Sequence, residues 1–172
     1  MDNPHGPVGA GWLVSVSEPA SSPSWAPPGY DLEARAGESA AGEVWRARER
    51  ATGDVVGLAR LDDGVDRAPF EALREELGRL RTPYLLRLRA VVGGVLVLDH
   101  ATGGSVADLL HRRGRLEAGE VVTVAAPLAA ALAEAHAGGM VHGDVSRVSV
   151  LLTADGMPLL AGLGVARLAR GL

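Results

Sequence analysis

From Tyr30 onward the apolar positions fall into short alternating runs. The stretches "YDLEARAGES", "GEVWRARERATGDVVGLARL" and "AVVGGVLVLDH" carry alternating or β-branched residues and are broken by glycine-containing turns, the period-2 signature of half-buried strands. "ATGD" (Ala51–Asp54) and "VGGV" (Val92–Val95) have hairpin-turn chemistry. Between these runs the period changes. Pro69 suits a first helical turn, and Phe70, Leu73, Leu77 and Leu80 follow at 3-4-3 spacing on one face. Glu71, Arg74, Glu75 and Arg79 lie off that face, Glu75 and Arg79 as an i,i+4 pair, and "RTP" ends the helix.

A longer helix is predicted from about Glu117 to Ala137, with Val121, Val124, Leu128, Leu132 and Ala135 as its buried stripe. Pro127 interrupts and bends it, and Gly138–Gly139 stops it. Then come "VHGDVSRVSVLL" (Val141–Leu152), a turn at "ADG" (Ala154–Gly156) and a short strand "PLLAGLG". Residues 1–28 are rich in Pro, Ser and Gly and read as a flexible tail, with Trp12 and Trp25 as incidental aromatics. No internal repeat is evident.

Composition narrows the function classes. The 172 residues are 47% apolar, enough for one core plus a tail. The net charge of −4 gives no basic footprint for nucleic acid. There are no cysteines, which removes disulfides, thiol nucleophiles and cysteine metal sites and fits a cytoplasmic location. Asp2 before the first short apolar run argues against a secretory leader. The region Val121–Val141 contains Pro127, Glu134 and His136 and is a poor membrane span. All 17 basic residues are arginine, isoleucine and glutamine are absent, and Asn3 is the single asparagine. That bias fits a GC-rich bacterial genome, but it does not account for losing a lysine that chemistry requires.

The order of these elements and motifs resembles the eukaryotic-like Ser/Thr protein kinase family in its bacterial branch, over about residues 29–170. "AGESAAGEV" resembles the glycine-rich loop: Gly37, Gly42 and Val44 match, and Ser39 takes the middle glycine's place. "VGLARL" resembles the strand carrying the phosphate-binding lysine, with Ala59 at the lysine position. The neighbouring Arg60 points to the opposite face and reads as solvated. Leu73 falls where the family has the glutamate that pairs with that lysine, so both halves of the ion pair are missing together. "LVLDHATGGSV" resembles the hinge, with Leu98 as gatekeeper and Asp99, His100 and Ala101 following. His142 and Asp144 match the His and Asp of H-R-D, and Asp144 is the equivalent of the catalytic base. Ser146 stands for the loop lysine, Ser149 for the metal-binding asparagine, and Gly162 in "AGLGVARL" for the metal-binding aspartate.

The resemblance implies an α+β, protein kinase-like fold. It has a five-stranded antiparallel N-lobe sheet with one helix (29–101, including the hinge), then a partial helical C-lobe (102–172) ending just after the strand that carries Gly162. Val44, Gly57 and Leu151 are then expected to sandwich an adenine and Ala101 to offer its backbone. Losing one electrostatic group at such a site costs roughly 10²–10³ in rate. The expected function is therefore that of a truncated, degenerate kinase-like domain. It is catalytically inactive and acts by protein binding, with at most weak ATP binding without a well-formed magnesium site. The alternative is a Ser/Thr kinase with residual ATP-dependent activity through Asp144. The family's activation segment and peptide-binding helices do not follow, so the C-lobe is expected to expose an apolar face to a protein partner or a second copy. No required cofactor, nucleic acid or membrane is expected.

Overall fold

The alternating runs form the strands β1 (Tyr30–Ser39), β2 (Gly42–Glu49), β3 (Val55–Arg60), β4 (Leu88–Val92) and β5 (Val95–Asp99) in the computed structural model. It describes residues 23–63 and 65–169. The five strands make one antiparallel sheet in the order β1-β2-β3-β5-β4. The hairpin turns at Ala51–Asp54 and Gly93–Gly94 lie where their chemistry put them.

Period-2 alternation gives the sheet two apolar faces. Leu32, Trp45, Val56, Leu58 and Val97 form the core of one. Trp25 covers part of it, edge-on to Trp45 with ring centroids 6.3 Å apart, so Trp25 is a packing residue and not an incidental aromatic of a tail. The rest of the predicted tail, residues 1–22 with Trp12, lies outside the described residues. Ala36, Val44, Ala59, Leu61 and Leu96 line the other face, against helix α1 (Ala68–Leu77).

Phe70 and Leu73 are the buried residues of α1, as the 3-4 spacing requires. The helix stops earlier than expected. The Gly78 N–H bonds the Arg74 carbonyl at 3.0 Å, so Arg79 and Leu80 fall beyond the last turn. Without a helical register for Glu75 and Arg79, the ion pair on this helix is Arg74–Glu71, at 3.1 Å.

The second half holds a small sheet, β6 (Gly104–Ser105), β7 (Val150–Leu152) and β8 (Pro158–Leu160), in that order. Helix α2 (Val106–Arg113) was not foreseen. The Ser105 hydroxyl accepts the Asp108 N–H at 3.1 Å, and Asp108 accepts the Ser105 N–H at 2.8 Å. This capping box is legible in "SVAD". Helix α3 (Ala118–Ala137) runs through Pro127 without a break. Its buried stripe is Leu128, Ala131 and Ala135, with Val124 and Leu132 partly buried. Val121, expected on that stripe, is 47% exposed. The predicted strand "PLLAGLG" ends at Leu160, and a short helix α4 (Val165–Ala169) follows Gly162 and Gly164.

By length and composition α3 is apolar enough to cross a membrane. Its buried stripe packs on the small sheet's core, and Glu134 accepts the Arg81 N–H at 2.6 Å. The Leu86 and Leu160 N–H groups bond Leu160 and Tyr84 carbonyls at 2.9 and 2.8 Å, tying the two halves together.

Gly42 is required by its surroundings. Its φ is +126°, and a Cβ there would lie 2.4 Å from the Arg60 carbonyl oxygen. Gly53, at φ +78°, has open space around it. Gly42→Ala should therefore destabilise the fold by about 2–4 kcal/mol through strain plus overpacking, and Gly53→Ala by about 1–2 kcal/mol through strain alone. Chemical denaturation of both variants checks this, and equal losses would overturn the steric account.

Candidate functional site

A cleft lies between the five-stranded sheet and the C-terminal half. It is lined from the sheet by Ser39, Ala41, Ala59 and Leu98, and from the other side by His142, Asp144, Ser149 and Gly162. Seven of the residues singled out from the sequence thus meet: Ser39, Ala59, Leu98, His142, Asp144, Ser149 and Gly162. Ala40, Val148, Val165 and Ala166 also line it and were not singled out. The signal for the last two lay in "GVARL", just past Gly164.

The remaining candidates lie elsewhere. Gly37 and Gly42 sit in the β1–β2 hairpin, opposite Val44 and Ser39. Val44 is 1% exposed within the sheet core, and Gly57 pairs across the strands with Leu98. The Asp99 carboxylate is held by Arg89. Ala101 and Leu151 are buried together with Leu86 and Ala161. Ser146 lies in the loop before β7, and Leu73 in α1.

At the hairpin tip Ser39 closes the turn on itself. Its hydroxyl accepts the Ala41 N–H at 3.2 Å and donates to the Gly42 carbonyl at 3.3 Å. One backbone donor that a glycine-rich loop could offer to a phosphate is thereby occupied.

The loop Val141–Ser149 is also satisfied from within. His142 is 3% exposed. Its Nε2 lies 2.9 Å from the Ala161 carbonyl, and its Nδ1 is 3.2 Å from the Asp144 N–H. With Nδ1 accepting and Nε2–H donating, the ring is neutral. Burial holds its pKa below the ordinary histidine value, against the opposing effects of the Ala161 hydrogen bond and the Asp144 charge. The Ser149 hydroxyl accepts the Ser146 N–H at 2.8 Å, and the Asp144 and Ser146 carbonyls each lie 3.0 Å from it. Ser149 therefore staples the loop.

A magnesium ion does not fit this donor set. Magnesium is held through one or two carboxylates in near-octahedral geometry. Here Ser149 is spent on the loop, Gly162 has no side chain, and Asp144 stands alone. No group of three His, Asp or Glu able to hold a metal occurs among the described residues.

Ala59 and Leu73 belong to one buried apolar cluster, 1% and 5% exposed. Leu73 packs closely on Gly164, where an added Cβ would lie 2.7 Å from Leu73 Cδ1. Arg60, on the opposite strand face from Ala59, pairs at the surface with Asp63 at 3.2 Å.

No protein-family model matches the chain. It is 34% identical over 164 residues to the serine/threonine-protein kinase PkaA of Streptomyces coelicolor, covering 81% of this chain and 30% of that protein. The serine/threonine-protein kinase PknK of Mycobacterium tuberculosis is 32% identical over 152 residues, covering 83% of this chain and 14% of that protein. PknD of the same species is 30% identical over 149 residues, covering 81% of this chain and 22% of that kinase. The chain thus spans less than a third of the length of each.

The paired apolar residues Ala59 and Leu73 generate a stability prediction. Leu73→Glu places a lone carboxylate in the cluster and should cost roughly 3–5 kcal/mol. Adding Ala59→Lys should recover about 0.5–3 kcal/mol of that loss as a coupling energy. Denaturant melts of the two single variants and the double variant measure it, and strictly additive losses would show that the two positions do not face each other.

Proposed function

Since the chain belongs to the serine/threonine protein kinase family, we propose that it uses the kinase-like fold as a protein-binding domain and does not transfer phosphate. The observation that carries this reading is the cleft itself. Where phosphoryl transfer needs organised positive charge around the phosphates, its walls carry Ala59 and Gly162, and Ser149 is bonded within its own loop. A base at Asp144 could take a proton from a hydroxyl, but that hydroxyl would have no ordered phosphate to attack. Nucleotide binding in this reading is weak and independent of metal, and the protein is cytoplasmic.

Support for a protein partner comes from α3. Val122, Ala126, Ala129 and Ala133 recur at helical spacing and are all exposed, leaving an apolar stripe opposite the packed one. A second copy of the chain is the simplest occupant of such a stripe, because two like helices can pack their small residues closely.

Residual kinase activity is the competing reading. It is favoured by Asp144, a carboxylate on the cleft lining without a partner among the described residues. A phosphorylation assay with magnesium ATP and a generic basic protein substrate separates the two. Turnover should not exceed that of an Asp144→Ala control, because each missing electrostatic group costs roughly 10²–10³ in rate; turnover abolished by that substitution sinks the inactive reading. For the α3 stripe, sedimentation velocity at rising concentration should show self-association that Ala129→Arg removes. A chain that stays monomeric, or association that Ala129→Arg leaves intact, rules out this stripe as the contact.

A further inference from the structure

We propose that the cleft binds a small ligand made of an apolar, ring-sized body and one protonated amine, the amine pairing with the Asp144 carboxylate. This rests on the reading of the cleft as silent toward phosphoryl transfer, and adds what the cleft takes in place of a metal-bound triphosphate.

The walls supply the apolar half. Ala59 and Leu96 come from the sheet, and Ala161, Val165 and Ala166 from the C-terminal segment. Small side chains on both walls leave room between them, and apolar room of this kind is filled by an apolar body.

The polar groups supply the charge. The Ser39 hydroxyl is engaged with Ala41 and Gly42, the Ser149 hydroxyl with its own loop, and both nitrogens of His142 with backbone. Two carboxylates remain on the lining, Glu38 and Asp144, and no arginine is among the described lining residues. Glu38 is paired with Arg35 at 2.8 Å. Among the described residues the Asp144 carboxylate has no ion-pair or hydrogen-bond partner; only its backbone N–H and carbonyl are engaged. Anionic phosphates entering here would meet an uncompensated negative charge and no cation among the described lining residues. A cation meets a free partner beside an apolar wall. The sign of the charge that the cleft selects is therefore opposite to that of a nucleotide.

Tryptamine, its uncharged counterpart indole-3-ethanol and its anionic counterpart indole-3-acetate share one ring system and differ in charge. Titrating each into the full chain, by calorimetry and thermal shift, tests the proposal. Tryptamine should bind roughly tenfold more tightly than the alcohol, since Asp144 is only half-buried and solvent screens the pair, and the acetate should bind weakest. Asp144→Asn should bring tryptamine down to the level of the alcohol. Ala59→Met should fill the cleft and abolish binding of all three, with a cooperative melt confirming that each variant is folded. The proposal is overturned by acetate or magnesium ATP binding as tightly as tryptamine, by a charge ranking that survives Asp144→Asn, or by no binding of any probe at millimolar concentration. Phosphate turnover lost in Asp144→Asn would strike the inactive reading instead. A missing amine preference without turnover strikes this proposal alone.

Discussion

The rest of the structure depends on a dry junction. Leu73 of α1 closes against Gly164, inside a cluster that also holds Ala59, Phe70, Leu96 and Val165. A buried charge pair at such a junction must offset a desolvation cost of several kcal/mol per ion, and half a pair is worse than none. With both positions apolar the cost disappears, and ordinary packing ties the sheet, α1 and α4 into one core. The close approach of Gly164 to Leu73 is the geometric expression of that choice. A side chain at 164 would push Leu73 away and open the joint.

The same economy governs the loop beneath the cleft. His142 is buried and neutral because its two nitrogens are matched to one backbone carbonyl and one backbone N–H. Ser149 has the size and hydroxyl to bridge three backbone groups of its own loop, on Asp144 and Ser146. The loop therefore keeps its shape without a bound ion or nucleotide. The Ser149 hydroxyl is spent within the loop, and of the two lining carboxylates Asp144 is the one without a partner among the described residues.

Much of this was legible from residue pattern. Alternation located all five strands of the large sheet, and the spacing of Phe70 and Leu73 oriented α1. Several features escaped for identifiable reasons. Trp25 sits in a proline-rich stretch whose composition speaks for disorder, and only its partner Trp45, twenty positions away in sequence, fixes it. Helix α2 is short and was masked by its neighbouring glycines, although its capping box was written in "SVAD". Val121 satisfied the helical period but lies beyond the surface that covers α3. Periodicity reports which residues share a face, not how far along the helix that face is covered.

Sequence by itself determined the order of the large sheet's strands and of helices α1 and α3, the family resemblance, and which of the family's charged groups are absent at positions 59, 73, 146 and 162. These follow from residue identity and local spacing, which tertiary packing does not alter. The tertiary structure alone decided what took their place. It showed that Ala59 and Leu73 fall into one core, that Ser39 and Ser149 satisfy themselves, and that Asp144 ends up unpaired beside an apolar wall. Such facts depend on distances between residues far apart in the chain, and on which hydrogen-bonding capacity is already used. The chemical character of a cleft is set by what remains unsatisfied after folding.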